Sequence, residues 1–365
     1  MSAVSPIAYS GLRAIHLEVT SHCNLACPMC ARNVAGGRVS PNLTPSHMSL
    51  DRFAEIFEPA LLARLDELLL CGNYGDPAVA PDTLPILAHA RAAAPRAELV
   101  VHTHGSARDP RWWAQLAELG VRCVFGIDGL EDTLAIYRRG ARWEAVMANA
   151  RAFIGAGGQA HWRFLVFQHN QHQVDAARAL ASEMGFQRFK VKATHRFYKG
   201  SYVPRGPDGR PDPTRAPRFP ILDAAGVEVG ALLPADAEGL VNPGFEVALA
   251  AGGGSGFRRL REGGAVACKA LDPASVYVSA DGLVFPCCWL GNIRAATVTA
   301  AHPVLRLAAE TGGLEALRVP PRTLEEVVEG PFFARVAASW ACPSVAEGRL
   351  ATCANVCGGG RPLRG

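Results

Sequence analysis

The chain has 365 residues, 49% hydrophobic and 19% charged, with a formal net charge of +4, enough for one large or two medium globular domains with a sizeable core. The small positive balance comes without a long basic run, so a nucleic-acid partner is not expected. Met1 to Gly11 lacks a basic region followed by an apolar core, and no apolar run reaches membrane-spanning length, so a soluble cytoplasmic protein without membrane attachment is expected.

Ile15-His16-Leu17-Glu18-Val19-Thr20 reads as a first strand leading into Cys23-Asn24-Leu25-Ala26-Cys27-Pro28-Met29-Cys30. Eleven cysteines in a chain without an export signal argue for metal ligation over disulfides. Three thiolates on one short loop reach three corners of a compact site, and sulfur selects zinc or an iron-sulfur cluster over hard cations. Structural zinc takes four protein ligands, whereas a catalytic metal keeps an open position for substrate or cofactor. Zinc or plain thiols remain the alternative at this point.

From Ser49, an N-cap residue, Leu50, Phe53, Ile56, Phe57 and Leu61 recur at helical spacing. A second strand, Glu67 to Cys71, runs into Gly72-Asn73-Tyr74-Gly75-Asp76-Pro77, a glycine-rich turn whose backbone allows close approach of a ligand. Thr83 to Ala94 reads as a helix and Leu99 to His104 as a strand; Asp109-Pro110 opens a helix ending at Gly120. Val121 to Asp128 is a fourth strand, followed by helical pattern from Trp143 to Ala156. A strand from His161 to Phe167, a helix from Gln171 to Met184 and a strand from Phe189 to Lys192 complete the series. Six strand-helix repeats imply a parallel, partly closed barrel with ligands at the C-terminal strand ends. The cysteine loop, Gly72 to Pro77 and Asp128 all fall there. His102 and His104 share a strand face and read as packing or substrate contacts; Cys71 and Cys123 read as core thiols.

From Phe197 to Gly264 prolines accumulate and Gly252-Gly253-Gly254-Ser255-Gly256 follows, a linker or irregular insertion. Val276 to Ser279, Asp281-Gly282 and Leu283 to Phe285 then form a hairpin with a favoured Asp-Gly turn. Cys268 and Cys287 flank it, and Cys342, Cys353 and Cys357 come far downstream.

The spacing of Cys23, Cys27 and Cys30 after a first strand resembles the signature of the radical S-adenosylmethionine (SAM) enzymes, although Met29 stands where that family often has an aromatic residue. The resemblance implies that these cysteines hold a 4Fe-4S cluster whose open iron binds the amino and carboxylate groups of SAM. Gly75, Asp76 and Pro77 match the last three places of the family's "GGEP" motif, with Asp for Glu, so Gly72, Asn73, Gly75, Asp76 and Pro77 are expected to contact SAM. Ile127-Asp128-Gly129 resembles a strand end that faces SAM, with Asp128 alternatively a turn residue. Arg163 and Asn170 are candidates for the SAM carboxylate or ribose, with a surface role as the alternative.

Cys268, Gly282-x4-Cys287 and Cys353-x3-Cys357 resemble the twitch domain, a shortened SPASM extension, which implies one auxiliary 4Fe-4S cluster on Cys268, Cys287, Cys353 and Cys357. Cys288 and Cys342 are alternates, and zinc is the competing metal. The expected organisation is α/β: a radical SAM core at 1–196 built as a partial (β/α)6 TIM-type barrel, a Gly/Pro-rich bridge at 197–264, and a small cysteine-rich domain with a β-hairpin at 265–365. Two clusters imply a net oxidation. The substrate is expected to be a peptide of the RiPP type, with a small metabolite such as a sugar or cyclitol as the alternative. A third reading is a non-catalytic iron-sulfur or zinc protein. The implied partners are a flavodoxin- or ferredoxin-like electron donor and, because the first strand begins by residue 15, a separate leader-peptide recognition protein. No catalytic acid, base or hydrogen donor is assignable from the sequence.

Overall fold

A computed structural model describes residues 7–194, 196–198, 217–240 and 265–358. The fold class is α/β, a mostly parallel sheet with helices between its strands, the partial barrel expected from the strand-helix order. The chain divides into two compact units, Met1–His22 with Pro41–Val100 and Arg258–Gly365, and Cys23–Ser40 with Val101–Phe257.

In the first unit, strand β1 (Ala14–Leu17) pairs in parallel with β2 (Glu67–Leu70), with Ala14 opposite Glu67. Helix α1 (Leu50–Ile56) starts at Ser49, whose hydroxyl accepts from the Arg52 amide at 3.2 Å, as its cap position predicts. The apolar spacing through Leu61 suggests one continuous helix, but Pro59 lacks an N–H and cannot continue α1, so a separate α2 (Pro59–Ala63) begins there. Helix α3 (Thr83–Ala93) leads to β3 (Glu98–Thr103), which crosses into the second unit after Val100.

The C-terminal hairpin forms as the Asp-Gly turn predicts. Strands β9 (Ser275–Val278) and β10 (Val284–Phe285) are antiparallel, with Val284 opposite Val278 and Gly282 at φ +81°, as the Asp-Gly turn requires. Strand β9 also lies parallel to β1, with Ala14 opposite Ser275. The second edge of β1 carries backbone groups that β2 leaves unpaired, and β9 satisfies them. Helices α8 (Pro303–Glu310), α9 (Leu324–Val328), α10 (Pro331–Ala338) and α11 (Ala351–Cys357) follow. Thr323 and Glu326 form a capping box at the start of α9.

In the second unit, α4 (Pro110–Glu118) is capped by Asp109, whose carboxylate accepts from the Trp112 amide at 3.0 Å. Strand β4 (Arg122–Gly126), helices α5 (Leu134–Tyr137) and α6 (Trp143–Gly155), strand β5 (Gln159–Val166), helix α7 (Val174–Glu183) and strand β6 (Arg188–Ala193) follow, with β4, β5 and β6 paired in parallel. Alternate residues of β5, Ala160, Trp162, Phe164 and Val166, are buried. Phe125 is the centre of an aromatic core, with Trp113 at 5.3 Å and Phe153 and Phe186 each at 5.8 Å between ring centroids. The expected bridge is not irregular throughout: β7 (Phe219–Leu222) and β8 (Glu228–Leu232) pair antiparallel within it. Its glycine run at 252–256, and parts of the three expected domain segments, lie outside the described residues.

Among the described residues no helix is long and apolar enough to cross a membrane. Trp162 is 1% exposed and its indole N–H donates to the Ile127 carbonyl at 2.8 Å, fixing the strand end that carries Asp128. Trp162→Ala is expected to destabilise the protein by about 3–5 kcal/mol, through the cavity and the orphaned carbonyl, in urea denaturation.

Candidate functional site

The glycine-rich turn belongs to the first unit, and its shape is set by a residue that the motif reading missed. Glu18, just past β1, is 1% exposed. Its Oε1 accepts from the amides of Tyr74 at 2.7 Å and Gly75 at 3.0 Å, and the Asn73 amide also bonds the carboxylate. The Tyr277 hydroxyl on β9 donates to Oε2. Successive amides directed at one carboxylate make a backbone nest. A Cβ on Gly75 would stand 1.8 Å from the Thr20 carbonyl oxygen, so only glycine lets the turn pass there. A Cβ on Gly72 would meet Gly75 O at 2.6 Å and Glu18 Oε1 at 2.7 Å. Asp76 is buried, and its Oδ1 accepts from the Ala78 amide at 2.9 Å, capping the single 3-10 turn Pro77–Val79. Asn73 donates to the Cys288 carbonyl at 2.8 Å, which ties the turn to the C-terminal cysteine segment.

That segment gathers the four cysteines assigned from the sequence. Cys268, Cys287, Cys353 and Cys357 line one cavity, with Trp289, Leu290, Val336 and Trp340 among its other walls. The Cys268 and Cys357 thiols are hydrogen-bonded, which together with burial pushes Cys268 up. Burial pushes Cys287 up to about 12 and Cys353 up to about 11. The buried Trp340 indole N–H has no hydrogen-bond partner among the described residues and lines the same cavity as Cys353. An unpaired buried donor beside four cysteines fits a metal-thiolate group. Cys288 and Cys342 do not line the cavity; Cys288 gives its carbonyl to Asn73, and Cys342 gives its carbonyl to Arg349 Nε at 2.7 Å.

The Cys23 to Cys30 loop belongs to the second unit. Cys27 is buried with Leu25, Met29, Tyr137, Phe167 and Phe197, and Cys23 and Cys30 pack against the same apolar group. Met29 thus fills the apolar wall beside the thiols that an aromatic residue would otherwise fill. The loop backbone is tied down from Ala26 N to Arg139 O at 3.0 Å and from Arg196 Nη1 to Met29 O at 2.9 Å. Burial pushes the Cys27 thiol up to about 11, against the pull of the Arg138 guanidinium. Three thiols on one apolar wall, each in free form, suit a sulfur-selecting group with an open corner. Among the described residues no three His, Cys, Asp or Glu side chains form a ready-made ion site.

Asp128 is 1% exposed; its Oδ1 accepts from the Leu165 amide at 2.6 Å, and its Oδ2 pairs with Arg138 Nε at 2.6 Å. Burial pushes its pKa up, against the nearby Arg138 and Arg163 charges. Asn170 is fully buried and its groups are committed to backbone: it donates to the carbonyls of Asp128 and Leu165 at 3.0 Å and accepts from the Phe167 amide at 2.7 Å. It therefore shapes the strand ends rather than lying at the surface. His104, expected to pack or touch substrate, places Nε2 3.5 Å from Cys23 Sγ. Cys123 is a core thiol as expected, while Cys71 is half-buried.

Glu18, Arg138 and His104 carry no motif. Glu18 leaves one signal in the sequence, a carboxylate between Leu17 and Val19 within a strand.

Residues 17–180 match the model of the Radical SAM superfamily. The chain is similar to a tagged anSMEcpe with bound AdoMet, at 14% identity over 88% of this chain and 78% of that one, with a TM-score of 0.52. It is also similar to Streptococcus suis SuiB bound to S-adenosylmethionine, at 11% identity over 76% of this chain and TM-score 0.44, and spans 61% of that structure's length. BtrN in complex with AdoMet and 2-DOIA matches at 12% identity over 94% of this chain and 92% of that one, with TM-score 0.44. At these identities the likeness is one of fold. No curated protein matches the sequence.

Burial pushes the Glu18 carboxyl up from 4.5 to about 7, although its hydrogen bonds favour the ionised form. Between those values the unfolded chain releases the proton that the folded chain retains, so stability is expected to fall as pH rises through this window, by on the order of 3 kcal/mol. Glu18→Gln is expected to flatten that slope in urea denaturation series taken across the same window.

Proposed function

Because residues 17–180 are a radical SAM domain, we propose that the protein is an enzyme that reductively cleaves SAM and uses the resulting 5'-deoxyadenosyl radical to remove a hydrogen atom from substrate. The observation that carries the reading is the three free thiols of Cys23, Cys27 and Cys30 bordering one buried apolar wall within that domain. The family's cofactors are a 4Fe-4S cluster and SAM; when bound, the cluster supplies the electron that cleaves SAM, and an auxiliary cluster accepts the electron left on the substrate radical. Cys23, Cys27 and Cys30 hold the first, and Cys268, Cys287, Cys353 and Cys357 the second. The cavity those four cysteines share, with the unpaired Trp340 N–H in its wall, supports the second assignment.

Gly72, Asn73, Gly75, Asp76 and Pro77 contact SAM through a turn whose backbone Glu18 keeps rigid. Asp128 is held by the Leu165 amide and Arg138 and orders the SAM-facing strand end. The apolar residues around Cys27, Leu25, Met29, Tyr137 and Phe167, keep water away from the reacting centre. The net reaction is an oxidation of a peptide substrate, with a flavodoxin- or ferredoxin-like electron donor as partner. The peptide assignment rests on the resemblance of the C-terminal cysteine pattern to the extension carried by peptide maturases.

Anaerobic reconstitution followed by iron and sulfide analysis tests the reading. About eight irons per chain are expected, falling to about four in a Cys23/Cys27/Cys30→Ala variant, as cysteine ligation of two clusters requires. Wild type given SAM and dithionite is expected to release 5'-deoxyadenosine, and the variant none. Bound zinc, or intact SAM, would overturn the proposal.

A further inference from the structure

Two of the three signature cysteines already have side-chain N–H donors directed at their sulfurs, both from within the second unit. His104 is 5% exposed, with Nε2 3.5 Å from Cys23 Sγ. Its tautomer follows from its other nitrogen: the Ser106 amide donates to Nδ1 at 3.1 Å, so in the neutral ring the proton resides on Nε2, facing the sulfur. Arg138 Nη1 lies 3.8 Å from Cys27 Sγ, within reach of the larger sulfur acceptor.

The guanidinium is built into this position. Its Nε pairs with Asp128 Oδ2 at 2.6 Å, its carbon lies 5.4 Å from the centre of the Tyr137 ring, and a Cβ on Gly126 would stand 2.3 Å from Nη2. Any residue larger than glycine at 126 would therefore displace the arginine. These contacts leave one edge of the fork for the sulfur.

We propose that His104 and Arg138 are positioning residues for the radical SAM cluster, donating N–H hydrogen bonds to the Cys23 and Cys27 thiolates and raising the cluster's reduction potential. The inference rests on the preceding assignment of Cys23, Cys27 and Cys30 as cluster ligands. Hydrogen bonds to cluster sulfurs and local charge are among the determinants of iron-sulfur potentials. An added electron increases negative charge on the sulfurs, so N–H donors stabilise the reduced form more than the oxidised one. The positive guanidinium acts in the same direction, while Asp128 offsets part of its charge.

The test is a redox titration of the anaerobically reconstituted full-length protein without SAM. Electron paramagnetic resonance follows the reduced-cluster signal that the Cys23/Cys27/Cys30→Ala variant lacks. His104→Leu and Arg138→Met are each expected to lower the potential by about tenfold in the reduction equilibrium, ~59 mV for a one-electron couple. His104→Gln and Arg138→Lys, which keep a donor, are expected to recover part of the shift. Asp128→Asn, which leaves the guanidinium uncompensated, is expected to shift the potential upward. This opposite sign is one that general loosening of the site does not produce. Iron-loaded His104→Leu and Arg138→Met proteins with wild-type potentials would overturn the inference while leaving the cluster assignment intact. Where those variants do not load iron, an unchanged or lowered potential in Asp128→Asn overturns it. Absence of the cysteine-dependent signal in wild type would instead overturn the cluster assignment beneath it.

Discussion

A carboxylate buried at the end of β1 organises the first unit. Glu18 cannot sit in an apolar interior without partners, and its partners come from separate stretches of chain: the amides of Asn73, Tyr74 and Gly75, and the Tyr277 hydroxyl of β9. Satisfying it therefore shapes the glycine-rich turn and orients Tyr277 on the strand that completes β1. The linkage continues outward, because the Tyr74 hydroxyl donates to the Gly291 carbonyl at 3.3 Å and accepts from the Arg294 amide at 2.9 Å, while Asn73 bonds the Cys288 carbonyl. The turn and the Cys287 segment are one hydrogen-bonded body. Removing the C-terminal segment would leave several buried polar groups unmatched, each worth about 1–3 kcal/mol. The proposed SAM turn thus depends on residues more than two hundred positions downstream for its shape.

The second unit handles its cysteine loop differently. Cys23 to Cys30 has no helix or strand of its own, and loops that carry chemistry need support from rigid elements. Here the support comes from the segment around α5. Tyr137 packs against the loop's apolar residues, Arg138 reaches Cys27, and Arg139 takes the Ala26 amide on its carbonyl while its guanidinium donates to Gly36 O at 3.2 Å. Consecutive residues thereby control packing, charge and backbone path.

What was legible in the sequence was whatever repeats locally. Helical spacing, the Ser49 and Asp109 caps, the apolar strands and the Asp281-Gly282 turn each depend on neighbours a few residues away, and each is present. The break at Pro59 is also local, but the apolar spacing runs on past it through Leu61 and masks it. What could not be read were relations between distant residues: β9 beside β1, the Glu18 nest, and the Arg138 and His104 approaches to the cysteines. In sequence a buried ion pair such as Asp128–Arg138 looks like two ordinary charges. Asn170 was legible as a polar residue near a strand end, but only the fold shows that its groups are committed to backbone.

The two cysteine sets also differ in when each can exist. Cys23, Cys27 and Cys30 are within seven residues of one another, so a single short loop brings them together. Cys268, Cys287, Cys353 and Cys357 share a cavity only after the hairpin has formed beside β1 and α11 has docked. Burial there pushes the thiol pKa values up, as for Cys287 and Cys353, so under the proposed assignment metal would displace protons from buried thiols. Metal binding at a site that exists only in the folded state contributes its free energy to folding. Under the proposed assignment the C-terminal metal is a structural element of the first unit as well as an electron acceptor. Because the same segment hydrogen-bonds Asn73 and Tyr74, its loss would also disturb the glycine-rich turn.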